Sequence, residues 1–189
     1  MSENDRVDSS PKVLIAGLGN WLLQDDGVGI HAVRALENDP EIMARPNTIV
    51  VDIGTAVLDA FHLFEWADVI IALDAMRCGG PPGSIYLARA ADIRAGDLAG
   101  GLHEVNLVAA LQMLGIKHHT GVWMFGVEPD FIDYGTELTP LVQAALPVLL
   151  RRVKEWLNAG IPWARPQSTL AQTAASWDAS SWPQDLAAD

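Results

Sequence analysis

Three side chains able to bind or activate a polar ligand stand at the ends of otherwise apolar segments of this 189-residue chain: Asp26, Asp74 and His103. Asp26 completes the pair Asp25-Asp26 within "GLGNWLLQDDGVG", from Gly17 to Gly29. Two glycines after a strand invite comparison with a dinucleotide-binding turn, but Leu22 stands where G-x-G-x-x-G needs its third glycine. Adjacent carboxylates at a helix start would also repel a pyrophosphate. The loop therefore suits a cation better than an anion. One aspartate of the pair can cap the helix that begins near Gly27, which leaves the other for a ligand.

Asp74 ends "VIIALD", a run apolar enough to be a central buried strand. A carboxylate there needs a cation or hydrogen-bond donors to offset a desolvation cost on the order of several kcal/mol. Arg77 is one candidate, as a plain ion-pair partner. His103 opens "HEVNLVAALQML", directly after the "GDLAGGL" loop. A helix N-terminus disfavours imidazolium and keeps the ring in the neutral form that ligates metals, although a purely structural histidine is the ordinary alternative. Two carboxylates and one imidazole make a three-ligand site with open positions, suited to zinc, nickel or a similar ion. Cys78, the only cysteine, has no neighbouring histidine to activate it and reads as a bystander. A single cysteine also excludes an internal disulfide and a cysteine metal cluster. His118 and His119 read as surface residues, and Met76, Met113 and Met124 as core.

The elements that must position these residues follow from hydrophobic period. Strands are expected at Lys12 to Gly19, Thr48 to Gly54, Asp68 to Ala75, Ser84 to Arg89 and Gly121 to Pro129. Helices are expected at Gly27 to Asn38, Ala56 to Trp66, His103 to Leu114 and Thr136 to Asn158. Strands too apolar to have a solvated face, alternating with helices, predict an α/β fold: a twisted, mainly parallel sheet of about five strands with helices on both faces. Ligands of such sheets collect at the carboxyl ends of the strands. Asn20 to Asp26, Asp74, and Glu128 with Asp130 all fall at that edge. One domain is expected over residues 12–160, preceded by a flexible polar segment at 1–11. A low-complexity tail over 161–189 carries Trp163, Trp177 and Trp182, which are unusual in a purely solvating segment.

Charge and composition exclude several classes. Twelve Lys and Arg against 24 Asp and Glu give a net charge of −12, which repels a polyphosphate backbone, so nucleic acid is not an expected partner. No apolar run approaches a membrane span and no signal peptide is evident, so a soluble cytoplasmic protein is expected.

The ordered set "GLGNWLLQDDGVG", "DIGT" (Asp52 to Thr55), "DAMRCGGPPGSI" from Asp74, "LHEVNL" around His103 and "GVEP" from Gly126 resembles the endopeptidases that mature the large subunit of nickel–iron hydrogenases. The resemblance runs from about Val13 to Leu157. It implies an α/β/α sandwich of the phosphorylase/hydrolase-like kind and a site in which Asp26, Asp74 and His103 hold a metal. It further implies that the metal is nickel carried by the substrate, that zinc or cadmium can occupy the same place, and that the partner is the precursor of a hydrogenase large subunit. Such enzymes cut a short C-terminal extension from the nickel-loaded precursor. A monomer is expected. Two features depart from the pattern: Ile53 replaces the first glycine of the usual D-G-G-T, which is expected to alter the wall of the cleft, and the tail after Gly160 lies outside the resemblance.

Other classes fit less well. Peptidyl-tRNA hydrolases share the "GLGN" turn but continue with proline, where this chain has Trp21, and they need a basic face. A nucleotide-dependent oxidoreductase is opposed by the broken glycine motif. A chaperone that binds nickel or the precursor without cutting would use the same three ligands.

Overall fold

The computed structural model describes residues 10–90, Leu107 and residues 121–160. Five strands form one sheet: β1 (Val13–Leu18), β2 (Thr48–Gly54), β3 (Val69–Ala75), β4 (Ile85–Arg89) and β5 (Gly121–Val127). Their order is β2-β1-β3-β5-β4. The first three pairings are parallel, and β4 runs antiparallel to β5 at the edge. Every residue of β1 and β3 is buried, as expected of strands covered on both sides.

Alternation along each strand sorts the core into two layers. Val13, Ile15, Ile71, Leu73 and Phe125 face α1 (Val28–Leu36) and the long α4 (Pro140–Asn158), through residues such as Val33, Val142, Leu149 and Trp156. Leu14, Ala16, Ile70, Ala72 and Met124 face the opposite side, where Val57 and Ala60 of a short 3₁₀ turn and Phe64 of α3 (Phe61–Trp66) cover them. Leu107 is helical and fully buried in this second layer. The rest of the expected helix from His103 to Leu114 lies outside the described residues, as do Met113, His118, His119 and the tail. Met76 and Met124 are core residues.

Two small corrections concern helix starts. The first helix begins at Val28, after a 3₁₀ turn over Gln24–Gly27. The last begins at Pro140, which suits a first helical position because its missing N–H is not needed there. A further short helix, α2 (Pro40–Met43), is N-capped by Asp39, whose carboxylate accepts from the N–H groups of Glu41 and Ile42. Among the described residues no helix is long and apolar enough to cross a membrane.

Candidate active site

The strand order creates a crevice. From β1 the chain passes to β2 on one side, then returns across β1 to β3 on the other, so the connections leaving β1 and β3 diverge at their carboxyl ends. Such a reversal is where open α/β sheets bind ligands. Asp26 follows β1, and Asp74 lies within the last turn of pleat of β3.

Glycines allow these segments to meet. A Cβ on Gly29, in the first turn of α1, would fall 2.0 Å from the Leu73 carbonyl oxygen and 2.5 Å from that of Leu18, so only glycine lets the helix sit against β1 and β3 together. Gly19 has φ +111°, and a Cβ there would lie 1.8 Å from the Asp26 carbonyl oxygen and 3.5 Å from Asp74 Oδ1. Gly19 is thus the point at which the two aspartate-bearing segments converge. The glycines read at first as a phosphate turn serve close backbone packing.

Asp74 is 1% exposed and its Oδ1 accepts from the Ala75 N–H at 2.8 Å. Arg77 is exposed. Asp26 is half-buried, and its Oδ2 accepts from the Asn20 N–H at 2.7 Å. Asn20 in turn folds the loop: its side-chain oxygen accepts from the Leu22 N–H and its carbonyl from the Leu23 N–H. His103 lies outside the described residues, so of the three residues singled out from the sequence the structure describes two, on segments that converge at Gly19.

The expected capping role is corrected. The N-cap position of α1 is Gly27, without a side-chain cap. Asp25 instead turns inward, fully buried, and binds the segment after β5. Its Oδ2 accepts from the N–H groups of Asp130 and Phe131, both at 3.0 Å, and from the Thr139 hydroxyl at 2.8 Å, while Oδ1 accepts from the Thr139 N–H at 2.7 Å. Four donors of this kind satisfy the hydrogen-bonding needs of a carboxylate inside the protein. Asp25 is structural, and its neighbour Asp26 is left at the crevice.

Glu128 has a comparable role. It is 7% exposed, and its Oε2 accepts from the N–H groups of Cys78 and Gly80 and from the Tyr86 hydroxyl at 2.8 Å. Burial, and then the hydrogen bond to this carboxylate, push the Tyr86 phenol up to about 12, so it stays a donor. The segment following Asp74 is thereby fastened to β4 and β5, with Cys78 serving through its backbone.

An aromatic stack ties the crevice to β2. The Arg34 guanidinium lies 3.8 Å from the centre of the Trp21 ring, and His31 stacks with the same ring at 4.3 Å between centroids. His31 Nε2 donates to the Thr136 carbonyl at 3.1 Å, and Arg34 reaches Asp52 of "DIGT" at 3.4 Å. Burial, with the Arg34 charge assisting, lowers the His31 pKa even though the Thr136 carbonyl favours its charged form. Sequence reading missed this stack, because Trp21, His31 and Arg34 meet only once the loop has folded onto α1. Ile53, next to Asp52, is 8% exposed and belongs to the core layer that includes Val57 and Phe64.

A profile of the hydrogenase maturation proteases matches residues 30–156, about two thirds of the chain. The chain belongs to the hydrogenase maturation protease family. Among relatives, it is 30% identical over 174 residues to the hydrogenase expression/formation protein HupD of Bradyrhizobium diazoefficiens, covering 86% of this chain and 86% of that one. Among solved structures, it is similar to the hydrogenase maturating endopeptidase HybD from E. coli, at 25% identity and a TM-score of 0.65, covering 79% of this chain and 94% of that one. It also resembles the hydrogenase 2 maturation peptidase of a Thaumarchaeota archaeon, at 28% identity and a TM-score of 0.60, covering 78% and 98% respectively. The maturation protease described here is therefore a peptidase, and its fold is that of these neighbours. Neither the nucleotide-binding nor the tRNA-hydrolase reading survives this assignment.

Proposed function

We propose that this protease removes a C-terminal extension from the precursor of a hydrogenase large subunit, and that Asp26, Asp74 and His103 meet a nickel ion carried by that precursor. The observation that supports this reading best is the division of work between the paired aspartates. Asp25 is consumed by four structural hydrogen bonds, while Asp26 stands beside Gly19, where the segment bearing Asp74 closes in. Carboxylates at a strand-order reversal, joined by an imidazole, form a donor set suited to a divalent transition metal such as nickel, zinc or cadmium.

In this reading the three side chains complete the coordination of the substrate's nickel and thereby hold the adjoining peptide in place for attack by water. The metal's charge also polarises the scissile carbonyl, a secondary contribution. Recognition through the metal explains why no serine or cysteine nucleophile with a paired base is needed. A cytoplasmic site of action agrees with the single cysteine, since no disulfide is required.

The test is the intact mass of a nickel-loaded large-subunit precursor before and after incubation with the protease, with apo-precursor as control. Loss of one C-terminal peptide from the nickel form alone is the expected result. Cleavage of both forms would remove the metal from recognition, and bound but intact precursor would mean a chaperone. His103→Ala and Asp26→Ala are each expected to abolish processing without unfolding the protein, and near-normal processing would remove that residue from the site.

A further inference from the structure

Two loops beside Asp26 are joined by backbone hydrogen bonds and carry exposed apolar side chains. The Gly135 N–H donates to the Leu22 carbonyl and the Gln24 N–H to the Gly135 carbonyl, both at 2.9 Å, with Leu23 and Gly135 forming an isolated bridge. Asp25 fixes the other end of the second loop through Asp130, Phe131 and Thr139. Gln24 sits at φ +47°, a left-handed conformation that a residue with a side chain keeps only when its surroundings hold it there. These loops are therefore held rigidly, yet Leu22 is 60% exposed, Phe131 56% and Tyr134 87%. Neighbouring exposed apolar groups on such a frame mark an interaction surface.

Charge identifies what the surface takes. Gly17 to Ile30 and Glu128 to Pro140 contain no Lys or Arg, and the second loop carries Asp130, Asp133 and Glu137, all exposed. Apolar contacts beside negative charge complement a segment that presents apolar side chains next to lysine or arginine.

We infer that Leu22, Phe131 and Tyr134, flanked by Asp130, Asp133 and Glu137, form a docking platform for the precursor segment that leads into the crevice, and that this segment is apolar with adjacent basic residues. The inference rests on the proposed function for the identity of the occupant. Leu22 sits on the same loop as Asp26 and the loop carrying Phe131 and Tyr134 is hydrogen-bonded to it, so a chain lying across the platform is delivered to the site. Binding there supplies affinity before cleavage, and its loss raises KM rather than lowering kcat.

The experiment is steady-state cleavage of nickel-loaded precursor by the full-length protease and its variants Tyr134→Ser, Leu22→Ser with Phe131→Ser, and Asp130→Asn with Asp133→Asn. Removing two apolar anchors is expected to raise KM about tenfold with kcat within about twofold, since central interface anchors commonly carry this much binding. The charge-neutralised variant is expected to raise KM and to lose part of its salt dependence. Tyr134 projects almost wholly into solvent, so its replacement tests the platform even if the double variant fails to fold. Unchanged KM in folded Tyr134→Ser and Asp130→Asn/Asp133→Asn overturns the inference, as does light scattering that shows a dimer dispersed by Tyr134→Ser. If the wild type binds precursor without cutting it, proteolysis falls while binding measurements on the same variants still decide the platform. If it neither binds nor cuts, both readings fall.

Discussion

Asp25 and Asp26 are adjacent and carry the same group, and only the company each keeps separates them. Replacing the buried Asp25 with alanine strands three N–H groups and a hydroxyl that it holds, so Asp25→Ala should destabilise the fold by about 2 to 4 kcal/mol. Asp26→Asn should stay within roughly 0.5 kcal/mol of wild type in urea while processing is lost. Equal stability losses in the two variants would refute this division. His31 adds a pH effect. Its folded pKa lies below the ordinary 6.5, so the unfolded chain binds the proton more readily. Stability from His31 is complete above about pH 6.5 and is lost as pH falls through the lowered folded value. The gap in Tm between wild type and His31→Gln should therefore narrow between pH 7 and pH 5, and a constant gap would show that the ring contributes no proton linkage.

Elements with a clear hydrophobic period were legible from the sequence, and those without one were not. The strands and α1 fell where their apolar runs put them, and α4 continues through Pro147 because Val142, Ala145, Leu149, Val153 and Trp156 keep one face buried. Helix α2 is too short to show a period, although Asp39-Pro40 is itself a helix-start signal. Its attachment to α4 was invisible locally, since Lys154 reaches Asp39 at 2.9 Å and Glu41 at 3.4 Å, and Arg45 reaches the Leu157 carbonyl. Hydrogen bonds, from Lys154 to Asp39 and chiefly from Asn158 to Glu41, lower both carboxyl pKa values, while Asp39 raises that of Lys154. Lowered carboxyl values mean stability present above about pH 4 and lost as pH falls through the folded values. Lys154→Met should lower Tm at pH 7, and the difference should close as pH falls below the usual carboxylate range. A difference that persists in acid would point to packing by the lysine stem instead.

At the scale of the whole molecule, the position of the candidate site was legible to the extent that strand ends were. The carboxyl edge of a parallel sheet follows from strand pattern alone, which is why Asp26 and Asp74 could be singled out. The partners of Asp25 lie more than a hundred residues away in sequence, beyond any local spacing rule. Net charge also acts globally. With −12 on 189 residues, repulsion among carboxylates opposes compaction, and salt screens it. Thermal unfolding should therefore shift upward between about 10 mM and 300 mM NaCl, because the Debye length shrinks from about 30 Å to well under 10 Å. A downward shift would mean that pairs such as Lys154 with Asp39 outweigh the general repulsion.

The bond from Asp25 to the segment after β5 also bears on how such proteases can be recombined. A specificity swap that exchanges residues 20–26 with those of a relative leaves the incoming carboxylate facing a foreign 128–139 loop, and one that exchanges only the latter leaves Asp25 without its donors. The transferable cassette is discontinuous in sequence: both loops have to move together, carrying the buried carboxylate and its donors as one part.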